Sequence, residues 1–110
     1  MNVFIIGSPL DTAKILDKKR LNKQIVECDQ MLKALQGETK AWRNHPCTLQ
    51  YEKYQSWLYH YMLCLDYYRK GNIALAESMN CVCESLKPKF HVEAYFKQVN
   101  NPYLKEGACQ

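Results

Sequence analysis

The sequence lacks the features by which several classes of protein are recognised. Its four glycines are scattered singly, so there is no glycine-rich loop of the kind that cradles phosphate groups. The apolar run Val3 to Ile6 is far shorter than the roughly 20 residues that span a bilayer, and no basic region precedes it as in a signal peptide. No repeat, low-complexity run or linker divides the chain. We therefore expect a single domain over residues 1–110, located in the cytoplasm and not bound to a membrane.

Paired cysteine motifs are also missing. The six cysteines are expected to be free thiols, because a chain without a secretory signal stays in a reducing compartment. Only Cys81 and Cys83 lie close together, and a Cys-x-Cys pair without a second matched pair is not the spacing of a zinc site. The sequence therefore predicts no metal site and no cofactor.

The composition is that of an ordinary globular domain. Apolar residues make up 47% of the chain and charged residues 24%, with a formal net charge of +4. A mildly basic chain of this kind suits a polyanionic partner such as DNA or a nucleotide.

The residues from Leu16 to Leu35 form the longest helical pattern. They include no Gly or Pro, and their apolar members recur at steps of four and three, which predicts one buried stripe on an α-helix. Those members are Leu21, Ile25, Cys28, Leu32 and Leu35. An adjacent face carries Arg20, Lys23, Gln24, Glu27 and Met31.

Other signals predict a mainly α fold, a compact helical bundle with a short extended N-terminal segment. Ser8 and Pro9 are typical of a helix start, and Gly37 of a helix end. The predicted elements are an extended segment from Asn2 to Ile6 and helices at Pro9–Leu16, Leu16–Leu35, Pro46 to about Lys70, Ile73–Leu86 and Val92–Val99. A bend is expected near Asp17.

Glu27 is the best single candidate for a catalytic carboxylate. On a helix it lies one turn from Lys23 and Gln24 and two turns from Arg20, so these side chains could orient a substrate or bind phosphate. The same spacing is common in solvated ion pairs on a helix surface.

The stretch Arg43-Asn44-His45-Pro46 leads into a predicted helix. Two interpretations are open. The helix start could hold an anion together with Arg43 and His45, or the loop could be a tight turn in which Asn44 and His45 cap the helix.

Tyrosines occur at positions 51, 54, 61 and 68, roughly along one helical stripe. Aromatic rings beside basic groups can stack on bases, but packing between helices is the commoner role. We favour packing.

Several short motifs resemble the phage-type pyrimidine-dimer DNA glycosylases with AP lyase activity. That family has a pattern Leu-x-x-x-His-Leu-x-x-Glu-x-x-Glu near its N-terminus, and here it reads Leu16-x-x-x-Arg20-Leu21-x-x-Gln24-x-x-Glu27. The opening Met1-Asn2-Val3-Phe4, the Asn44-His45-Pro46 stretch and the residues Val92 to Phe96 are also similar to members of this family.

The resemblance implies a small helical domain that acts on DNA by covalent amine catalysis. The N-terminal α-amine would attack C1′ of a damaged nucleotide and form an imine. Asn2 is bulky enough to disfavour removal of Met1, so the amine would belong to Met1. Glu27 would stabilise the positive charge on the sugar and move protons. Arg20, Lys23, Gln24, Arg43, Asn44 and His45 would hold the nucleic acid or nucleotide.

The resemblance also implies a phage origin, which would place the protein in the host cytoplasm. Two alternatives stay open. One is a non-catalytic module that binds a nucleotide or nucleic acid in the same basic concavity. The other is a small helical interaction protein that buries the Glu27 face in an oligomer.

Overall fold

The computed structural model describes residues 3–88, and this part of the chain contains five α-helices and no strand. The prediction of a mainly α fold is confirmed. The helices are α1 (Pro9–Ile15), α2 (Lys18–Leu35), α3 (Pro46–Gln50), α4 (Gln55–Arg69) and α5 (Ile73–Ser85). The helix predicted at residues 92–99 lies outside the described residues.

Local capping explains the ends of α1 and α2. The Ser8 side chain accepts a hydrogen bond from the Asp11 N–H, and the Asp11 carboxylate accepts one from the Ser8 N–H, which completes a capping box. Asp17 caps α2 in the same way, by accepting from the Arg20 N–H at 2.8 Å. Gly37 follows α2 with a φ of +81°, a backbone conformation that favours glycine. The predicted start of α1, the bend at Asp17 and the end of α2 are confirmed.

The prediction of one continuous helix from Pro46 to about Lys70 is wrong, because residues 51–54 separate α3 from α4. The Tyr51 and Trp57 rings are stacked with their centroids 5.6 Å apart. In a continuous helix, residues six apart lie about 9 Å apart along the axis and about 240° apart around it, so these rings could not meet. Trp57 also stacks on Tyr61, at 4.9 Å. The break lets three aromatic rings form one layer of the core, as the packing interpretation of the tyrosines predicted.

The N-terminal segment, α1, α2, α4 and α5 share one hydrophobic core. Val3 and Ile5 are buried in it although their segment is neither helix nor strand. The core face of α2 is wider than the predicted stripe, since Gln24 and Met31 are buried as well. Leu49 and Leu86 are apolar helix-end residues that stay exposed.

The last helix, α5, packs mainly on α4. Ala76 is completely buried, as expected for a small residue at a helix contact, and so is Cys83. The Cys83 thiol donates to the Trp57 carbonyl oxygen at 3.6 Å. None of the helices in residues 3–88 is long and apolar enough to span a membrane.

Candidate active site

The N-terminal segment is held in place by side chains of α2 and α4. The Phe4 N–H donates to Gln24 Oε1 at 2.6 Å, and the Tyr61 hydroxyl donates to the Phe4 carbonyl oxygen at 2.7 Å. The same hydroxyl lies 3.1 Å from Gln24 Oε1. A tyrosine hydroxyl has a single hydrogen, so its shorter contact, to Phe4, is the principal one. Both backbone polar groups of Phe4 are thereby satisfied without a sheet.

Further along the segment, α1 supplies the partner, and α1 is itself bonded to α5. The Ile6 N–H donates to Thr12 Oγ1 at 2.9 Å, and Thr12 is completely buried. The Leu10 N–H donates to Asn80 Oδ1 at 3.0 Å, a contact between residues 70 positions apart. Side chains of α1, α2 and α4 therefore hold the N-terminal segment, and α5 holds the start of α1.

Glu27 lies three residues beyond Gln24 on α2 and is half-buried. Its Oε2 atom is buried and has no hydrogen-bond partner within residues 3–88. Nearly all buried polar atoms in proteins are paired, because an unpaired one loses its contacts with water and gains nothing in return. An unpaired carboxylate oxygen on a residue that is only half-buried is suited to accept a proton or to stabilise a positive charge on a substrate.

Cys47, the second residue of α3, links Glu27 to the N-terminal segment. Burial raises the pKa of the Cys47 thiol, and the nearby charge of Glu27 raises it further. A hydrogen bond from the Val3 N–H to the sulfur acts in the opposite direction. The Val3 N–H therefore bonds to a sulfur atom that also feels the charge of the Glu27 carboxylate.

Sequence reasoning did not select Cys47 as a site residue. Its contact with Val3 joins positions 44 residues apart, and no local pattern encodes such a pairing. A signal that could have pointed to Cys47 is its position directly after the Arg43–Pro46 stretch, which was selected as a candidate binding site.

Of the binding residues predicted on α2, Lys23 is exposed, whereas Gln24 is 1% exposed and bonded to Phe4. Arg20 forms a salt bridge with Asp17. The pKa of Asp17 lies below its usual value, chiefly because its carboxylate accepts the Arg20 backbone N–H. The structure therefore brings Gln24 to the N-terminal segment and leaves Lys23 on the solvent side of the helix.

In the Arg43–Pro46 stretch, the capping interpretation is confirmed for His45. Its Nδ1 atom accepts the Cys47 N–H at 3.1 Å and caps α3. Asn44 is exposed, and Arg43 forms a salt bridge with Glu52 at 3.8 Å. The Trp42 ring meets His45 edge-on at 5.6 Å, and Trp42 has a φ of +65°. This loop orients α3 and with it Cys47.

A model of the pyrimidine dimer DNA glycosylase family matches residues 1–70. The chain belongs to this family. The match spans more than half of the 110 residues and includes Gln24, Glu27, Cys47 and Tyr61, whereas α5 lies beyond it. The family assignment made from the short motifs is confirmed, and with it DNA as the substrate class and DNA repair as the process.

No curated protein and no solved structure gives a significant match to this glycosylase-family chain. Within residues 3–88, no group of three or more His, Cys, Asp or Glu side chains is arranged to hold a metal ion. Met1 and Asn2, which were predicted as catalytic residues, lie outside the described residues.

Proposed function

We propose that this protein is a DNA N-glycosylase with AP lyase activity toward damaged or modified pyrimidines, acting through the N-terminal amine and Glu27. The observation that carries the proposal is the buried carboxylate oxygen of Glu27, which has no hydrogen-bond partner among residues 3–88, in a member of a glycosylase family. Such an oxygen lacks the partner expected of a purely structural residue.

The position of Val3 supports a role for the amine. The Val3 N–H donates to Cys47, whose thiol also lies in the field of Glu27. Two residues of extended chain span about 7 Å. A chain that starts at Met1 therefore keeps its amine within that distance of the Val3 nitrogen. An α-amine has a pKa of about 7.7–8.0 and is partly unprotonated near neutral pH, unlike lysine.

The proposed reaction has two stages. The amine nitrogen attacks C1′ of an extruded nucleotide, the glycosidic bond breaks, and the base leaves with its electron pair and takes up a proton. Ring opening gives an imine between the amine and C1′. A base then removes a proton from C2′, the C3′–O bond breaks, and the 3′ phosphate leaves. Hydrolysis of the imine frees the amine. Glu27 stabilises the cationic sugar in the first stage and moves the C2′ proton in the second.

The remaining predicted residues take supporting roles in this proposal. Arg20, Lys23, Arg43, Asn44 and His45 contact the DNA backbone. Gln24 acts through Phe4, because its oxygen holds the segment that leads to the amine.

Borohydride trapping on a duplex with an abasic site tests the proposal. Wild-type protein should form a covalent adduct, and mass spectrometry of the digested adduct should locate the sugar on the N-terminal peptide. Glu27→Gln should lose most of the strand cleavage while far-UV circular dichroism stays unchanged. Asp29→Asn, on the same helix, is the matched control and should cleave normally. Absence of an adduct, or an adduct on a lysine, would reject the amine mechanism.

The alternative is a module that binds DNA or a nucleotide without turnover. The exposure of Lys23 and the burial of Gln24 favour it, because they leave a cation at the surface while the polar groups around Phe4 serve the fold. Salt-sensitive binding to a duplex or nucleotide, with neither adduct nor cleavage, would select this alternative.

A further inference from the structure

The first turn of α2 contains three consecutive cations, Lys18, Lys19 and Arg20, and no acidic residue. Positive charge is unfavourable at this end of a helix, where the backbone dipole is itself positive. Asp17 neutralises Arg20. Lys18 and Lys19 are exposed, and within residues 3–88 neither forms a salt bridge. This arrangement does not serve the stability of the helix.

A second helix adds charge at the same place. Arg69, the last residue of α4, donates from Nη1 to Asn22 Oδ1 on α2 at 3.3 Å. The next residue, Lys70, forms a salt bridge with Asp66 at 2.9 Å, and Asp66 also pairs with Arg69. Partial burial opposes ionisation of Asp66, but the hydrogen bonds and charges of Lys70 and Arg69 outweigh it and lower its pKa. Asp66 therefore offsets only one of the two cations.

We define the basic surface as Lys18, Lys19, Lys23, Arg69 and Lys70. With Asp66 included, its net charge is +4. Residues 3–88 carry twelve Lys and Arg and nine Asp and Glu, a net charge of +3. The other described residues together are therefore close to neutral. The positive charge of residues 3–88 is concentrated where α2 meets the end of α4.

The basic surface is continuous with the candidate active site. Lys19 and Lys23 are four residues apart, so they lie on one side of α2, and Glu27 follows one turn later. Arg69 reaches the opposite edge of the same solvent face through Asn22. A ligand that lies across the solvent face of α2 contacts the cations of the basic surface, and it reaches Glu27 at the border of that surface.

We propose that the phosphate backbone of duplex DNA lies across the basic surface, with Arg69 and the lysines of the first turn of α2 as its main contacts. The identity of the partner rests on the proposed function. Duplex DNA has one phosphate charge per about 1.7 Å of axis, which matches a surface of clustered cations. Three of these, Lys18, Lys19 and Lys23, form no salt bridge within the described part of the chain.

The test measures binding as a function of salt by fluorescence anisotropy. The probe is a duplex with a tetrahydrofuran abasic analogue, which binds but cannot form the imine. The variants are Lys18→Gln/Lys19→Gln and Arg69→Gln. The matched control, Lys14→Gln/Lys53→Gln, removes two exposed lysines from other parts of the chain. Circular dichroism confirms that each variant is folded.

We expect the double variant to bind at least about tenfold more weakly at physiological salt, with a log–log salt slope smaller by about 1.8, since each phosphate contact contributes about 0.9. Arg69→Gln should lower the slope by about 0.9, and Arg69→Lys should restore much of it. The control should keep the wild-type slope. If the control loses as much as the double variant, or if neither changes, the basic surface is not the DNA contact.

Trapping separates this inference from the proposed function. Binding that depends on the basic surface, without an adduct on abasic DNA, would reject the chemistry and retain the surface. An adduct together with unchanged slopes in the variants would retain the chemistry and reject the surface.

Discussion

Two positions one turn apart on α2 show how the fold treats polar side chains differently. Gln24 is 1% exposed, and its Oε1 accepts from the Phe4 N–H with the Tyr61 hydroxyl beside it. Glu27 is half-buried, and its Oε2 has no partner in residues 3–88. Helical spacing predicted both positions on one face of α2, next to the apolar stripe. The difference is that Gln24 has hydrogen-bond partners within the fold, whereas the buried oxygen of Glu27 has none in residues 3–88 and is expected to cost stability.

The energetic expectation follows from this difference. A satisfied hydrogen bond contributes about 0.5–1.5 kcal/mol, whereas leaving a buried partner unsatisfied costs about 1–3 kcal/mol. Mutations around Gln24 should therefore destabilise the protein, and mutations of Glu27 should not. Functional groups kept in unfavourable environments are a general feature of active sites.

The largest effect is expected for Gln24→Leu. It removes the acceptor of the Phe4 N–H and leaves that donor without a partner, so the free energy of unfolding should fall by about 2–3 kcal/mol. Urea denaturation followed by circular dichroism measures the change. Gln30→Leu, on the same helix, is the matched control and should change stability by less than about 0.5 kcal/mol. A near-neutral Gln24→Leu would mean that the contact with Phe4 does not hold the segment.

Tyr61→Phe should have an intermediate effect. It removes the hydroxyl that donates to the Phe4 carbonyl oxygen but leaves the ring stacked on Trp57. We expect a loss of about 1–1.5 kcal/mol. Tyr59→Phe removes a hydroxyl from an exposed tyrosine of the same helix and should be neutral in the same denaturation experiment. Equal effects of the two variants would show that the buried hydrogen bond adds no stability.

Glu27→Gln should have the smallest effect on stability. The amide replaces a partly buried carboxylate that has an unpaired oxygen, so the free energy of unfolding should stay within about 0.5 kcal/mol of wild type or rise slightly. The denaturation midpoint at neutral pH gives this value. A loss as large as that of Gln24→Leu would place Glu27 among the structural residues and remove the contrast between the two positions.

Local sequence signals predicted much of the fold. Ser8 and Pro9 marked the start of α1, Asp17 the junction with α2 and Gly37 its end, because caps and left-handed glycines depend on neighbouring residues alone. The break after Tyr51 was missed, since no Gly or Pro marks it. It depends on the stacking of Tyr51 on Trp57, which is a tertiary contact.

The candidate site was predicted in part, for the same reason. Helical periodicity placed Glu27 beside Gln24, but it gave no indication that Phe4 would need the Gln24 oxygen, a contact 20 residues away in sequence. The contact between Val3 and Cys47 joins residues that lie still farther apart in the sequence. Contacts of this kind are set by how the N-terminal segment packs across the helices, and periodicity within one helix does not report them.

The hydrogen bond from Leu10 to Asn80 has a consequence for how the protein could be shortened. The family match stops at the end of α4, so a gene trimmed to residues 1–70 would encode every residue of the candidate active site. Such a polypeptide would lose Asn80 as the acceptor for Leu10 and would uncover the side of α4 on which Cys83 packs. We therefore expect residues 1–70 to be less stable than the longer chain, although they include the whole family match.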